Sequence, residues 1–201
     1  LLNGDSRIKL IPPVESKSYL DITISVLKKF GIEIKEKENE YIVKGNQQFI
    51  SPKEITVQGD WSNASFFLCA GALSEKGVTV TDLDINSPQG DKKILEILSS
   101  MGADVIVSGN EVTVKKNTLS GITVDASDIP DTVPIVSVVA TACTGDTKII
   151  NAQRLRIKES DRIKSVVEMI NSVGGNAEET DDGLIIHGGI LLKGGKVNGY
   201  N

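Results

Sequence analysis

The amino-acid sequence predicts an α/β (α+β) protein built from repeated β-α-β-α-β-β units, with the sheets outside and the helices packed inside. Three observations lead to this prediction. Helical stripes of apolar residues end at glycines, and each glycine is followed by two short runs that suit a β-hairpin. These glycines, Gly31, Gly102 and Gly174, lie 71 and 72 residues apart. A recurring helix–glycine–hairpin pattern at nearly constant spacing indicates an internal repeat.

The first copy of the repeat begins with a short β-like run at residues 8–14. Apolar residues near helical spacing follow between Leu20 and Phe30. Gly31 is then well suited to end the helix, because glycine readily adopts the left-handed backbone conformation. Two alternating runs around the polar segment 38–40 predict a hairpin.

A domain boundary is predicted after this first copy. The β-branched run at 55–57 is expected to form a strand, and Gly59-Asp60 behind it is expected to start a turn. We therefore assign residues 1–57 to the end of one domain, and residues 58–201 to two repeat units of a second domain that is incomplete at its carboxyl end.

The second and third copies are longer than the first. Their apolar stripes at 94–101 and 163–173 precede Gly102 and Gly174. Each copy also has an upstream helical segment, a glycine and a β-branched run: 63–73, Gly77 and 78–80 in the second copy, and 131–142, Gly145 and 148–150 in the third.

Charge and composition restrict the function classes. The formal net charge of −5 argues against general nucleic-acid binding, which requires a basic surface. No apolar run has the length of a membrane span, and the amino-terminal residues do not have the pattern of a secretory signal. We expect a cytoplasmic protein.

The cysteine and histidine content argues against a metal site. Cys69 and Cys143 lie in apolar helical segments and are expected to be reduced core thiols. His187 is the only histidine, and it lies in a predicted strand. No Cys/His cluster of metal-ligand spacing is present, so no metal is expected.

The most charged stretch, residues 156–162, precedes the helix of the third copy. Lys158 and Arg162 at a helix start suit a phosphate or carboxylate group, because the helix N-terminus adds unpaired N–H donors. Glu159 between them is expected to be ionised and to exchange protons. Alternatively, these charges form surface ion pairs without a function, with Ser160 or Asp161 as the helix cap.

Two further sites precede predicted helices. Asp131 follows Pro130, and it is either an N-cap or first-turn residue or a general base toward a hydroxyl group. Ser16, Lys17 and Tyr19 lie at the helix start of the first copy. Their side chains either bind a phosphate or a sugar-like ring, or serve as a serine cap with a packing tyrosine.

Four stretches together resemble the 5-enolpyruvylshikimate-3-phosphate synthase (3-phosphoshikimate 1-carboxyvinyltransferase) family. The most specific are Ile129-Pro130-Asp131 and the charged stretch 156–162, and the segments 16–23 and 59–65 add support. They occur in the order of the family's motifs, and the resemblance covers essentially the whole chain.

The resemblance implies a fold and a reaction. The fold is two domains, each of three β-α-β-α-β-β units, which close on the substrates. The reaction transfers the enolpyruvyl group of phosphoenolpyruvate to the 5-hydroxyl of shikimate 3-phosphate and releases phosphate, without a cofactor. The implied roles are shikimate 3-phosphate contacts for Ser16 and Tyr19, substrate binding and proton acceptance for Asp131, substrate binding for Lys158, transfer of the methylene proton for Glu159, and phosphoenolpyruvate binding for Arg162.

The sequence departs from the family pattern in two ways. Arg154 replaces an asparagine found in many members. The family's amino-terminal Lys-Ser-x-x-x-Arg, its central Ser-Ser-Gln and its later Asp-His-Arg and Lys motifs are absent. We therefore expect an internal fragment that does not turn over alone, belonging to a protein that is a monomer when intact. A UDP-N-acetylglucosamine enolpyruvyl transferase and a non-catalytic anion-binding module are the alternatives.

Overall fold

A computed structural model of the chain describes residues 2–199. The elements in chain order are β1 (Ser6–Lys9), α1 (Lys17–Lys29), β2 (Ile34–Lys37), β3 (Glu40–Val43), α2 (Trp61–Ala72), β4 (Val78–Val80), the 3-10 helix η1 (Gly90–Lys93), α3 (Ile94–Met101), β5 (Asp104–Ser108), β6 (Glu111–Lys115), β7 (Thr123–Asp125), α4 (Val133–Thr141), β8 (Asp146–Ile150), the 3-10 helix η2 (Gln153–Ile157), α5 (Arg162–Ser172), β9 (Asn176–Glu179) and β10 (Leu184–His187).

The chain forms two compact units. The amino-terminal unit contains the residues up to Val57 together with Asn86–Gly90, and the larger unit contains Gln58–Ile85 together with the residues from Asp91 onward. The change of unit after Val57 lies where the domain boundary is predicted. Assignment of the units to substrate domains stays a prediction.

The amino-terminal unit consists of α1 and a three-stranded antiparallel sheet in the order β1-β3-β2. The predicted helix and hairpin are both present. Gly31 follows the helix with φ of 76°, and Asn39 turns the hairpin with φ of 55°. Both angles lie in the left-handed region, which glycine and asparagine tolerate better than other residues.

The larger unit contains the second and third copies of the repeat. The second copy has α2, α3 and an antiparallel sheet in the order β4-β6-β5. The third copy has α4, α5 and a four-stranded sheet in the order β7-β8-β10-β9, in which β7 and β8 are parallel. The third copy is therefore a complete β-α-β-α-β-β unit, as predicted.

The predicted strand at 55–57 is wrong. These residues belong to none of the strands within the described part of the chain, and Val57 is 89% exposed. A β-branched run becomes a strand only where a sheet edge offers backbone partners. The counterpart in the third copy, β7, has such a partner in β8, whereas β4 pairs with β6 and not with residues 55–57.

Within the larger unit, helices form the centre and the two sheets form the outer layers. Helix α4 contacts α2 and α5, and α2 also contacts β4 and β6. Strands alternate between buried and exposed residues, so one sheet face covers the helices and the other faces solvent. The buried positions of the central strands are Val112, Val114, Thr147, Ile149, Leu184 and Ile186.

Aliphatic side chains and the two cysteines complete this core. Cys69 and Cys143 are fully buried and free, as predicted from the sequence. Burial raises the pKa of the Cys69 thiol to about 12, so this thiol is protonated and inert at neutral pH. Among the helices described in residues 2–199, none combines the length and apolar character needed to cross a bilayer.

Candidate functional site

The charged stretch 156–162 spans the end of η2 and the start of α5, and its first arginine has a structural role. Arg156 Nη1 donates to Glu179 Oε2 at 2.6 Å and to Asp161 Oδ2 at 3.1 Å. Its Nη2 donates to the Thr180 carbonyl oxygen at 2.9 Å. Arg156 thus connects the start of α5 to the end of β9 and is not available to bind a substrate.

Asp161, rather than Ser160, caps α5. Its Oδ1 accepts a hydrogen bond from the Lys164 backbone N–H at 3.0 Å, and its backbone is extended, as N-cap residues usually are. Ser165 Oγ donates to the Asp161 carbonyl oxygen. The first turn of α5, which begins at Arg162, is therefore fixed by local hydrogen bonds.

Arg162 joins the two carboxylates that were predicted to handle protons. Its Nη1 lies 2.6 Å from Asp131 Oδ1, and its Nη2 lies 2.6 Å from Glu159 Oε1. The Arg162 Nε also donates to Glu159 Oε1 at 2.7 Å. Residues from the turn before α4 and the segment before α5 therefore meet at the guanidinium group of Arg162, whose side chain is only 22% exposed.

The expectation that Asp131 caps or begins α4 is wrong. The helix begins at Val133, and Thr132 occupies the N-cap position. Pro134 in the first turn needs no N–H partner, and the Thr132 hydroxyl donates to the Ile129 carbonyl oxygen at 3.0 Å. Asp131 lies one residue before the cap, and its side chain is directed to Arg162.

Glu159 is ionised, as predicted. Its own backbone N–H and then the Arg162 guanidinium hold the pKa of this carboxyl below its ordinary value, and Lys158 adds a smaller attraction. The side chain is 63% exposed, so water screens these interactions. The lowered pKa favours the ionised form of the Glu159 carboxyl group.

Lys158 is the cation of this stretch that remains available. It is half-buried, directly follows η2 in extended backbone geometry, and forms no ion pair within residues 2–199. Arg154, the residue that departs from the family pattern, is exposed on η2.

Two more carboxylates lie at helix starts of the second copy, and neither was predicted as a site residue. Asp60 caps α2, since its Oδ1 accepts from the Ser62 N–H at 2.8 Å and the Asn63 N–H at 3.3 Å. Asp91 in η1 is only 8% exposed, and its Oδ1 has no hydrogen-bond partner. The one sequence signal for Asp91 was its place before α3, which corresponds to the place of residues 156–162 before α5.

The surroundings of the Asp91 carboxyl group raise its pKa. Burial is the main cause that raises its pKa from an ordinary value of 3.8 to about 6. The negative charges of Asp131 and Asp60 are smaller causes that raise the pKa of Asp91 in the same direction.

Ser16 and Tyr19 lie in the amino-terminal unit, at the start of α1. Ser16 occupies the N-cap position with φ of 54°, yet its side chain forms no capping hydrogen bond. Tyr19 is 44% exposed, so it is not a core tyrosine. Lys17 between them is engaged by Asp21 at 2.8 Å and by Glu36 at 3.2 Å, and these hydrogen bonds raise its pKa.

The fold belongs to the class of enolpyruvyl transferases. The chain superposes on the enolpyruvyl transferase NikO of Streptomyces tendae with a TM-score of 0.68 at 18% identity, over 92% of this chain and 43% of that one, which establishes the fold alone. EPSP synthase from Acinetobacter baumannii superposes with a TM-score of 0.76 at 28% identity, over 93% of this chain and 43% of that one.

The family follows from the sequence comparisons. Residues 1–201 match the family model described as EPSP synthase (3-phosphoshikimate 1-carboxyvinyltransferase), and the chain belongs to that family. It is 48% identical over 201 residues to the 3-phosphoshikimate 1-carboxyvinyltransferase of Clostridium novyi and 42% identical over 198 residues to that of Methanocaldococcus jannaschii. These matches cover 100% and 98% of this chain but 46% of each relative, so the chain spans about half of their length.

Proposed function

We propose that the whole protein containing this chain transfers the enolpyruvyl group of phosphoenolpyruvate to the 5-hydroxyl of shikimate 3-phosphate and releases phosphate. This is a step of aromatic amino acid biosynthesis. Family membership supports the choice of reaction. The observation that carries the proposal is the contact of Arg162 with both Asp131 and Glu159, because the reaction needs two proton-transfer groups beside an anion-binding cation.

In the proposed addition step, Asp131 accepts the proton of the attacking hydroxyl group. The hydroxyl oxygen bonds to the central carbon of phosphoenolpyruvate while its methylene carbon gains a proton. Arg162 Nη1 lies 2.6 Å from Asp131 Oδ1 and orients this carboxylate before the substrate arrives. A base held in position accelerates the reaction more than a mobile base does, because the reacting atoms must be aligned.

Glu159 is the proposed carrier of the methylene proton. It must be protonated to give that proton in the addition step, and it then takes a proton back from the methyl group as phosphate leaves. The exposed Glu159 is ionised in this structure. Removal from water under a bound substrate would raise its proton affinity, which is the change that the donor role requires.

We propose that the remaining site residues bind the two anionic substrates. Lys158 supplies a point charge at the substrates, and Arg162 supplies a planar donor group for phosphoenolpyruvate. We also propose that the amino-terminal unit belongs to the shikimate 3-phosphate domain, where Ser16 and Tyr19 supply hydroxyl groups. The larger unit would then belong to the second domain.

The proposal is tested by the substrate choice of the whole protein. Phosphate release should occur with shikimate 3-phosphate plus phosphoenolpyruvate, and the organic product should gain the mass of one enolpyruvyl group. UDP-N-acetylglucosamine plus phosphoenolpyruvate is the matched control pair. Turnover of the nucleotide sugar alone would identify the other enolpyruvyl transferase, and turnover of neither pair would favour a non-catalytic anion-binding protein.

We further infer a cytoplasmic monomer that needs no cofactor. This inference rests on the family and on the absence of redox or metal chemistry from the proposed reaction. Light scattering of the whole protein and turnover after treatment with a chelator test it. A stable dimer, or activity lost to the chelator and restored by a metal ion, would contradict it.

A further inference from the structure

The segment between η2 and α5 carries Lys158 and Glu159, and side chains rather than backbone hydrogen bonds fix its position. Residues 158–160 belong to no helix or strand, and no turn or loop hydrogen bond between backbone groups within residues 2–199 involves them. A loop without such bonds samples many conformations, and ordering it costs backbone entropy. Other contacts must therefore hold the two charged side chains in place.

The first of these contacts joins the two ends of the segment. Arg156 precedes it and Asp161 follows it, and Arg156 Nη1 donates to Asp161 Oδ2 at 3.1 Å. The other carboxylate oxygen of Asp161 accepts from the Lys164 backbone N–H and caps α5. The ion pair therefore closes the segment into a short loop and ties this loop to the first turn of α5, which restricts its conformations.

The second contact joins the same arginine to the turn between β9 and β10. Arg156 Nη1 donates to Glu179 Oε2 at 2.6 Å, and Nη2 donates to the Thr180 carbonyl oxygen at 2.9 Å. This turn also holds the start of η2, since the Ala152 backbone N–H donates to the Asp182 carbonyl oxygen at 2.8 Å. The β9–β10 turn therefore supports η2 at its start and the following segment at its first residue.

We propose that Glu179 is a positioning residue, which holds this segment in place through Arg156. The segment then presents Lys158 and Glu159 to the substrates in one conformation. The proposal rests on the proposed function. The effect of Glu179 is indirect, because its carboxylate binds Arg156. It arises because the loop is ordered before the substrates bind, so that binding and proton transfer do not have to supply that order.

Three variants of β9 test this role. Glu179→Gln keeps the size of the side chain but removes its charge, so it weakens the 2.6 Å contact with Arg156. Glu179→Asp keeps the charge on a shorter side chain and should lose less activity. Glu178→Gln is the matched control, because Glu178 is the neighbouring glutamate of β9 and its carboxylate lies 3.8 Å from His187 Nε2.

The first measurement is kcat of the whole enzyme at saturating shikimate 3-phosphate and phosphoenolpyruvate. Glu179→Gln should lower kcat by about 5–20-fold, because a displaced Glu159 is no longer aligned for proton transfer. In a Glu159→Gln background the same change should lower kcat by less than about 2-fold, since the group that it displaces is already absent. Equal losses in both backgrounds would overturn the proposal, because a general loss of stability acts in both. Glu178→Gln should remain close to wild type.

The second measurement does not require turnover. A glutamate-specific protease cleaves after Glu159 only when the segment is mobile enough to enter the protease active site. This cleavage should be about 5–20-fold faster in Glu179→Gln than in wild type and unchanged in Glu178→Gln. Cleavage after Glu168, within α5, reports unfolding of the helix and should not change.

The two cleavage rates decide between local positioning and general stability. An unchanged rate after Glu159, or equal increases after Glu159 and Glu168, would overturn the proposal. If the wild type fails to turn over these substrates, the proposed function fails, while the cleavage rates still show whether Glu179 holds the segment.

Discussion

The second and third copies of the repeat place similar elements in similar positions but differ in how their carboxylates are paired. In each copy a 3-10 helix leads into the second α-helix, η1 into α3 and η2 into α5. In the third copy two arginines bind four carboxylates, namely those of Asp131, Glu159, Asp161 and Glu179. In the second copy Asp91 is buried with an unpaired oxygen.

This difference shows how a repeated fold can acquire one site. The backbone scaffold supplies helix starts in both copies, and such starts favour anions. The third copy adds cations that pair with partly exposed carboxylates. The second copy supplies negative charge from inside the core. The predictions below test how the paired carboxylates of the third copy and the buried carboxyl group of the second copy affect turnover and stability.

Removal of the charge on Asp131 should have the largest effect. In the whole enzyme, Asp131→Asn should lower kcat by about 10²–10⁴-fold, as expected for the loss of a general base. Circular dichroism should show a retained fold, since Asp131 is not the cap of α4. Asp104→Asn serves as the control. Turnover near that of wild type would reduce Asp131 to a partner of Arg162.

The unpaired Asp91 should make the stability of the chain depend on pH. Its folded-state pKa of about 6 exceeds its ordinary value of 3.8, so the folded state binds this proton more tightly. Its stabilising contribution is complete below pH 3.8 and is lost as the pH rises through 6. The loss amounts to about 3 kcal/mol at most.

Urea unfolding of wild type and Asp91→Asn at several pH values measures the contribution of Asp91 to the free energy of unfolding. The variant should gain stability relative to wild type as the pH rises from 4 to 8, because its amide does not ionise. A constant difference between the two proteins over this range would mean that Asp91 is paired or solvated in solution.

Loss of the available cation should reduce binding and turnover together. Lys158→Ala in the whole enzyme should lower kcat/KM by about 10–100-fold, because a charge-assisted contact to an anionic substrate is removed. Lys164→Ala is the matched control, since Lys164 is exposed and its nearest carboxylate, Glu168, is 3.9 Å away. Unchanged kinetics of Lys158→Ala would contradict the substrate role of this lysine.

Loss of a helix cap should have the smallest effect. Because α2 belongs to the second copy and α5 to the third, cap variants of the two helices allow a direct comparison of the copies. Asp60→Ala should lower the free energy of unfolding by about 1 kcal/mol, and Asp161→Ala by somewhat more, because Asp161 also pairs with Arg156. A change of about 1 kcal/mol corresponds to about 2–4 °C in Tm for a chain of this size. Calorimetry of both variants measures it, and equal losses would mean that the Arg156–Asp161 pair contributes nothing.

Local patterns predicted most of the elements. The glycines Gly31, Gly102 and Gly174 marked helix ends, because their positive φ angles are a property of a single residue. Hairpins followed from alternation for the same local reason. The strand at 55–57 was predicted wrongly, since a strand depends on a distant partner that the run itself does not encode.

The residues of the proposed site came from sequence motifs. The motifs of residues 129–131 and 156–162 pointed to Asp131, Lys158, Glu159 and Arg162, and the structure brings Asp131, Glu159 and Arg162 into direct contact. Which of these charged side chains form ion pairs with one another could not be predicted from the sequence. Nothing in the sequence distinguishes Arg156, which is committed to structure, from Arg162, which joins the two carboxylates that we propose for proton transfer.

The sequence by itself determined the repeat, the helix ends, the family and the residue types available for an anion site, because each of these is written in local spacing or in motifs. Only the tertiary structure decided which charges are paired. The energy of a charge depends on its distance to other charges and on its exposure to water, and both depend on the packing of elements far apart in the chain. Asp91 is the clearest case, an ordinary aspartate in the sequence whose burial raises its pKa and leaves one carboxyl oxygen without a hydrogen-bond partner.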